Sequence, residues 1–400
     1  MSADASGSAA ILERTDRYIA QTYARSRVAF VRGRGAELWD ADGKRYLDFF
    51  SSILCTNLGH AHPAVTRAIC EQADRLVHLS NLHYSEPQSR LAEKLVEHSF
   101  AERVFLCNSG TEANEAALKA ARRYGHARGG RYEVLTTLGS FHGRTMAMIA
   151  ATGQEKVRRG FEPMLPGFRY VPYGDVAAME EAIRPETVAI LVEPIQGEGG
   201  VVVPPDRYLP GLRELCDRHD MLLMFDEVQT GCGRTGTLFA YEQTGCAPDV
   251  MTLAKSLGNG LPVGAMLAAP RAASALDVGA HASTFGGNCV TNAAAVATLE
   301  VLTDGGTLAR ARLASERFRT GLASLAARHP EDLGAVRGRG LLLGLETRSG
   351  ECATGIAARA LERGLLLNVT AERVLRIAPP LVVSDAEIDE GLAILGQAAS

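Results

Sequence analysis

The sequence predicts an α/β protein in which a large domain built on a mostly parallel sheet is followed by a smaller α+β domain. Three observations carry this prediction. Stretches with helical spacing alternate with short apolar runs from about Pro63 to Ala269, the pattern of a sheet covered by helices on both faces. Later, three strand-like runs, "GRGLLLGLE", "GLLLNV" and "VLRIAPP", enclose a single helical pattern between the first two. The chain has 400 residues, 46% of them hydrophobic and 22% charged, enough to bury a sizeable core in more than one domain.

Taken in order, residues 1–60 form an N-terminal segment comprising a tail, a helix and a hairpin. "MSADASGSAA" lacks a basic region followed by an apolar one, so residues 1 to about 10 are expected to be a flexible tail. In "VRGRGAELWDADGKRYLDFF" the Asp42-Gly43 turn signal between two mixed apolar runs predicts a hairpin. Residues 61–285 form the large domain, with strands expected at 103–107, 132–137, 188–194, 221–227, 250–254 and 265–269. Residues 286–400 hold connecting helices at 288–303 and 306–328, the three strand-like runs, and a closing helix in "DAEIDEGLAILGQAA".

Composition narrows the functions open to this fold. Forty-two basic and 46 acidic side chains leave a formal charge of −4, with no basic run that would follow a nucleic-acid backbone or a membrane surface. Small soluble partners are expected. No apolar run reaches membrane-spanning length. Eight cysteines, at 55, 70, 107, 216, 232, 246, 289 and 352, show neither CxxC spacing nor a dense framework. Reduced thiols in the cytoplasm are therefore expected, with no zinc site and no disulfide scaffold.

Several motifs carry chemistry. "NSGTEANEAALKAARRYG", Asn108 to Gly125, follows a strand and opens a helix with a Ser109/Glu112 capping box, an alanine stripe at 113, 116, 117 and 120, and Gly125 as its end. Such a helix start offers free N–H groups and a positive dipole end, so Ser109, Gly110 and Thr111 could hold a phosphate; the same signals also fit an ordinary capped helix. Gly231, Gly233 and Gly236 spell GxGxxG, but no helical stripe follows, which argues against a dinucleotide site. Asp226 stands at the carboxyl end of a strand, where open α/β sheets bind ligands, although a structural salt bridge fits there too. Glu193, Glu198, His142 and Arg144 follow other strand ends. Lys255, in "TLAKSLGNGLPVGA", is either a surface charge or a sequestered amine able to form a Schiff base. An anion nest, a strand-end carboxylate and a sequestered lysine together suit pyridoxal 5′-phosphate.

At this point the sequence resembles the class III pyridoxal-phosphate aminotransferases, and within them the bacterial enzymes acting on acetylornithine. The resemblance runs from about residue 20 to the C-terminus through "LDFFSSILCTNLGHAHPAV", "NSGTEANEAALKAAR", "SFHGRTMA", "LVEPIQGEGGV", "FDEVQTGCGRTG", "LAKSLGNGLPVGA" and "TFGGN". It implies the fold-type-I architecture and a homodimer with shared active sites. By the same resemblance Lys255 is the Schiff-base lysine and Asp226 the partner of the pyridine nitrogen. Phe141 and Val228 would sandwich the ring, and Gln229 would approach its phenolic oxygen. Ser109, Gly110 and Thr111 would bind the phosphate, with Thr284 contributed by the neighbouring subunit and Ser283 placed with the substrate.

On the substrate side the resemblance assigns Arg144 to the remote carboxylate and Arg376 to the α-carboxylate of glutamate or 2-oxoglutarate. Glu198 would neutralise Arg376 while an ω-amine occupies the site. Ile53 stands near the position where ornithine enzymes typically carry a tyrosine that helps recognise a free α-amino group, which implies an acylated one here. The activity implied is transfer of the δ-amino group of N2-acetylornithine to 2-oxoglutarate, in arginine biosynthesis. Succinylornithine, ornithine, 4-aminobutyrate or a lysine-derived amine are the alternative donors, since "SSILCT" departs from the family's small-residue segment.

Overall fold

The computed structural model describes residues 7–400, so the first six residues of the expected tail lie outside the described residues. The remainder of that tail is not a tail: a helix begins at once, Ser8–Tyr18, with the N–H of Ser8 donating to Asp42 Oδ1 at 3.2 Å. An acceptor at the first turn satisfies one of the donors that a helix start leaves free.

Seven strands form the central sheet, in the spatial order Arg103–Cys107, Gly264–Ala268, Val250–Leu253, Leu222–Asp226, Thr187–Val192, Glu133–Thr137, Phe168–Val171. Only Gly264–Ala268 runs antiparallel to its neighbours. Alternation across the sheet explains the continuous apolar runs. Leu223 and Phe225 pack on one face against Leu209, Leu212 and Leu215 of the helix Tyr208–Arg218. Leu222 and Met224 pack on the other against Ala117, Ala120 and Ala121 of the helix Gly110–His126. With both faces dry, apolar residues fill most positions, and each buried leucine or phenylalanine contributes about 1.5–3 kcal/mol.

Six strands fall where the apolar runs predict them, within a residue or two. The seventh, Phe168–Val171, is an unforeseen edge strand whose first three residues are only partly buried, so "FRYV" shows no clear pattern. Gly125 does not end its helix. It lies inside, where a Cβ would meet the Arg131 carbonyl oxygen at 2.3 Å, so its lack of a side chain serves a close approach.

Two four-stranded sheets flank the central one. The expected N-terminal hairpin is a three-stranded meander, Phe30–Arg34, Glu37–Asp40 and Arg45–Asp48, with Asp42 and Gly43 in its second turn. "GLLLNV" is not one strand. Leu365–Leu366 pairs in parallel with Leu47 and Asp48, while Asn368–Thr370 joins the C-terminal sheet with Leu333–Arg339, Leu342–Thr347 and Val374–Ile377. Cys289–Thr303 and Gly306–Arg328 are the connecting helices, and Asp385–Ala399 closes the chain behind a Ser384/Glu387 capping box.

Because six strands of the central sheet point the same way, the segments after Cys107, Thr137, Val192, Asp226 and Leu253 all emerge at one edge. That edge is where an open parallel sheet offers a crevice.

Candidate active site

At this edge lies a cavity of about 580 Å³, within the ~300–1,000 Å³ typical of small-molecule sites. The helix Gly110–His126 aims its N-terminus at it. Ser109 is the cap, its Oγ accepting from the N–H of Glu112 at 3.3 Å. The reciprocal half of the expected capping box is displaced by one residue: Glu112 Oε2 accepts from the backbone N–H of Asn108 at 2.5 Å and from its side-chain Nδ2 at 3.0 Å. Gly110 and Thr111, in the first turn, have N–H groups beyond the reach of intrahelical acceptors. A Cβ on Gly110 would meet Val228 at 2.8 Å, so glycine here keeps the floor of the cavity close to the helix start.

Asp226 ends its strand with 4% of its surface exposed. Burying a carboxylate is costly unless donors compensate, and three do. Asn114 Nδ2 donates to Oδ2 at 2.8 Å, His142 Nδ1 meets the same oxygen at 2.8 Å, and the N–H of Val228 donates to Oδ1 at 3.1 Å. Each partner is itself held: Asn114 Oδ1 accepts from Thr252 Oγ1 at 2.7 Å, and His142 Nε2 lies 3.2 Å from Thr136 Oγ1. Asp226 is thus fixed in orientation by a chain of hydrogen bonds that spans three strands and a helix. Glu193, at the next strand end, is pushed well above the usual carboxylate range by burial and by the neighbouring Asp226 charge, while it accepts from the N–H of Phe141 at 3.2 Å.

Lys255 begins a single 3₁₀ turn, Lys255–Gly258, at a φ of 46°. A side-chain-bearing residue held in the left-handed region carries strain of order 1–3 kcal/mol, which persists only where the surroundings enforce it. Burial pulls its ammonium below the ordinary lysine range; Glu198 opposes that shift and Arg376 reinforces it. The direction favours a free amine, the nucleophilic form.

Beside it stands an ion pair. Arg376, 1% exposed, donates from Nη1 to Glu198 Oε1 at 2.6 Å and to Gln229 Oε1 at 3.0 Å, and from Nε to Asn368 Oδ1 at 3.0 Å. Gln229 Nε2 donates back to Glu198 Oε1 at 3.1 Å. Burial alone would raise the Glu198 carboxyl, but Arg376 and Lys255 override it and hold it below its usual range. Arg144 is exposed at the rim, its guanidinium 5.5 Å from the centre of the Phe141 ring.

Ser109, Gly110, Thr111, Phe141, Arg144, Asp226, Val228, Gln229 and Lys255 therefore line one cavity, with Glu198 and Arg376 joined to it through Gln229. Ser283 and Thr284 do not line it. Ser283 Oγ accepts from Asn108 Nδ2 at 3.2 Å, and Thr284 is exposed. Ile53 is also absent from the walls and 43% exposed; Cys55 and Tyr23 stand in the cavity instead. Asn114 escaped the sequence reading as well, although a polar residue within an alanine stripe was a usable signal.

The residues fit pyridoxal 5′-phosphate. A cradle kept open by Gly110 at a helix N-terminus suits a phosphate, a rigidly oriented buried carboxylate suits a pyridine nitrogen, and a depressed lysine suits an aldehyde.

Comparisons with known proteins agree with this geometry. Residues 18–399 match the family model described as aminotransferase class-III. The chain is 47% identical over 381 residues to the acetylornithine aminotransferase of Caldanaerobacter subterraneus subsp. tengcongensis, covering 95% of this chain and 96% of that one. Among solved structures, the N-acetylornithine aminotransferase of Stenotrophomonas maltophilia superposes with a TM-score of 0.84 at 39% identity, over 97% of this chain and 98% of that one. The ornithine aminotransferase of Toxoplasma gondii gives 0.94 at 34% identity, over 98% and 94%.

Proposed function

The chain belongs to the class III aminotransferases, and from that premise we propose that it moves the δ-amino group of N2-acetylornithine to 2-oxoglutarate, yielding N-acetylglutamate 5-semialdehyde and glutamate in arginine biosynthesis. The observation that carries this reading is the Glu198–Arg376 pair, 2.6 Å apart, within the electrostatic reach of Lys255. A dual-substrate site must accept a neutral carbon chain in one half-reaction and an α-carboxylate in the other. An arginine masked by a carboxylate that can move aside meets both demands.

When bound, pyridoxal 5′-phosphate supplies an aldehyde that takes up the amino group and a ring that accepts the electron pair left as the adjacent C–H bond breaks. The chain's own groups do the rest. Ser109, Gly110 and Thr111 hold the phosphate, Phe141 and Val228 flank the ring, and Gln229 approaches its phenolic oxygen. Asp226 holds a proton on the pyridine nitrogen. Lys255, a buried amine in the same cavity, would be the residue that holds the cofactor's aldehyde and the base that moves the substrate proton. Arg144 takes the remote carboxylate and Arg376 the α-carboxylate. Thr284 is exposed and outside this cavity; in the homodimer that the reading includes, it would complete the partner's phosphate site and Ser283 would stand with the substrate. Among the described residues no helix is long and apolar enough to cross a membrane; the cytoplasm is the proposed location.

Two measurements test the reading. Borohydride reduction of the holoenzyme followed by peptide mapping places the pyridoxyl group on Lys255; its recovery on another lysine would overturn the site. In a donor panel with 2-oxoglutarate, kcat/KM for N2-acetylornithine exceeds that for ornithine by ~10-fold or more, the scale on which side-chain contacts discriminate substrates. The reverse preference would make the enzyme an ornithine aminotransferase.

A further inference from the structure

The segment Ser51–Leu54 runs through four consecutive side-chain-bearing residues at positive φ, 47°, 50°, 58° and 63°. L-residues enter this region singly, so a run of them exists only under external restraint. The restraint comes from several directions. Asp48 Oδ1 accepts from the N–H groups of Phe50 at 3.0 Å and Ser51 at 2.8 Å, while its Oδ2 meets His60 Nε2 at 2.7 Å. Ser51 Oγ donates to the carbonyl of Ala378 at 2.7 Å, two residues beyond Arg376. Leu54 is wedged among Ile195, Val201, Leu342 and Ala378. Just past the turn, Asn57 donates to the Cys232 carbonyl at 2.8 Å and accepts from the buried guanidinium of Arg234.

This left-handed turn delivers Cys55 to the cavity, with the Cys55 N–H closing it onto the Ser51 carbonyl at 2.7 Å. Cys55 and Lys255 line the same cavity, and the Lys255 charge partly opposes the upward push of burial on the thiol. Under the proposed function, the helix start and the strand ends serve the cofactor. The wall that remains includes Tyr23, Cys55, Arg144 and the segment 260–263. Tyr23 and Arg144 are exposed and can swing, so they set no fixed limit. Cys55, anchored on both sides in sequence, can set one.

We propose that Cys55, held by the left-handed turn Ser51–Leu54, is a specificity-determining wall of the amine-donor pocket, whose small side chain sets the width open to the donor's carbon chain in the cavity it shares with Lys255 and Arg144. This rests on the aminotransferase reaction proposed above. A wall that limits width penalises a donor carrying an acylamino branch more than an unbranched one. The size of Cys55 then tunes the choice among ω-amines.

The test uses holoenzyme carrying Cys55→Leu or Cys55→Ala, with N2-acetylornithine, N2-succinylornithine and 4-aminobutyrate as donors. Cys55→Leu lowers kcat/KM for the two acylated donors by about 10-fold or more, the scale of a methylene misfit in a close pocket, and for 4-aminobutyrate by less than about threefold. The absorption of bound cofactor stays unchanged. Cys55→Ala raises the succinyl-to-acetyl ratio. Equal losses for all three donors, an unchanged donor ranking in both variants, or a shifted cofactor spectrum would overturn the proposal. Should wild-type enzyme itself prefer an unacylated donor, the proposed substrate falls, while the change in ranking caused by Cys55 is still read on the donors it does use.

Discussion

Enzyme carrying Asp226→Asn retains pyridoxal 5′-phosphate but transaminates more slowly by about 100-fold or more, the scale seen when a preorganised electrostatic partner is removed. The substitution is nearly isosteric, so the cavity keeps its shape. What changes is charge. A carboxylate with 4% of its surface exposed, oriented by Asn114, His142 and the N–H of Val228, can hold a proton on a facing pyridine nitrogen, and an amide cannot. The step that breaks the C–H bond loses most, because the electron pair it leaves needs a cationic ring. Single-turnover absorbance with saturating amine donor reads that step directly, and a thermal melt within a few degrees of wild type excludes a folding defect. A near-normal rate with cofactor bound would remove Asp226 from the chemistry and leave it a structural acceptor.

The central sheet was legible because strands buried on both faces leave uninterrupted apolar runs, as in "MLLMFDE". Legibility failed where that condition failed. Phe168–Val171 lies at the sheet edge with partly exposed side chains, and "GLLLNV" divides between two sheets at Leu367, a change of partner that leaves no mark on hydrophobicity. Asp226 and the helix start could be read as ligand-binding from their places at strand ends. Arg376 and Glu198 could not: they are separated by 178 positions, and only the family resemblance paired them. Ile53 shows a different limit. The resemblance set it near the substrate, while the left-handed turn at Ser51–Leu54 brings Cys55 to the cavity and leaves Ile53 outside the lining. Nothing in the residue types Ser-Ser-Ile-Leu favours that conformation; it is imposed by Asp48, Ala378 and the packing of Leu54.

Arg376→Ala slows the half-reaction with 2-oxoglutarate far more than the one with the ω-amine. Arg376 is 1% exposed and already spends Nη1 on Glu198 and Gln229 and Nε on Asn368, so a carboxylate gripped through both Nη atoms competes with Glu198 for Nη1. Hydrogen bonds to charged groups contribute about 1.5–3 kcal/mol, so losing the contact to the α-carboxylate lowers kcat/KM for 2-oxoglutarate by roughly 10- to 100-fold. The δ-amine end of the donor carries no α-carboxylate and never makes that contact. Arg376→Lys restores charge without the planar fork and recovers only part of the loss. Glu198→Ala acts in the opposite sense. It leaves Arg376 unmasked, eases reaction of glutamate through its α-amino group, and sets an uncompensated guanidinium against the apolar chain of the ω-amine, slowing that half-reaction. Stopped-flow absorbance resolves the two half-reactions, since the aldehyde and amine forms of the cofactor can each be followed alone. Equal losses in both half-reactions for both variants would reduce the pair to a salt bridge that fastens the C-terminal sheet to the loop after Val192.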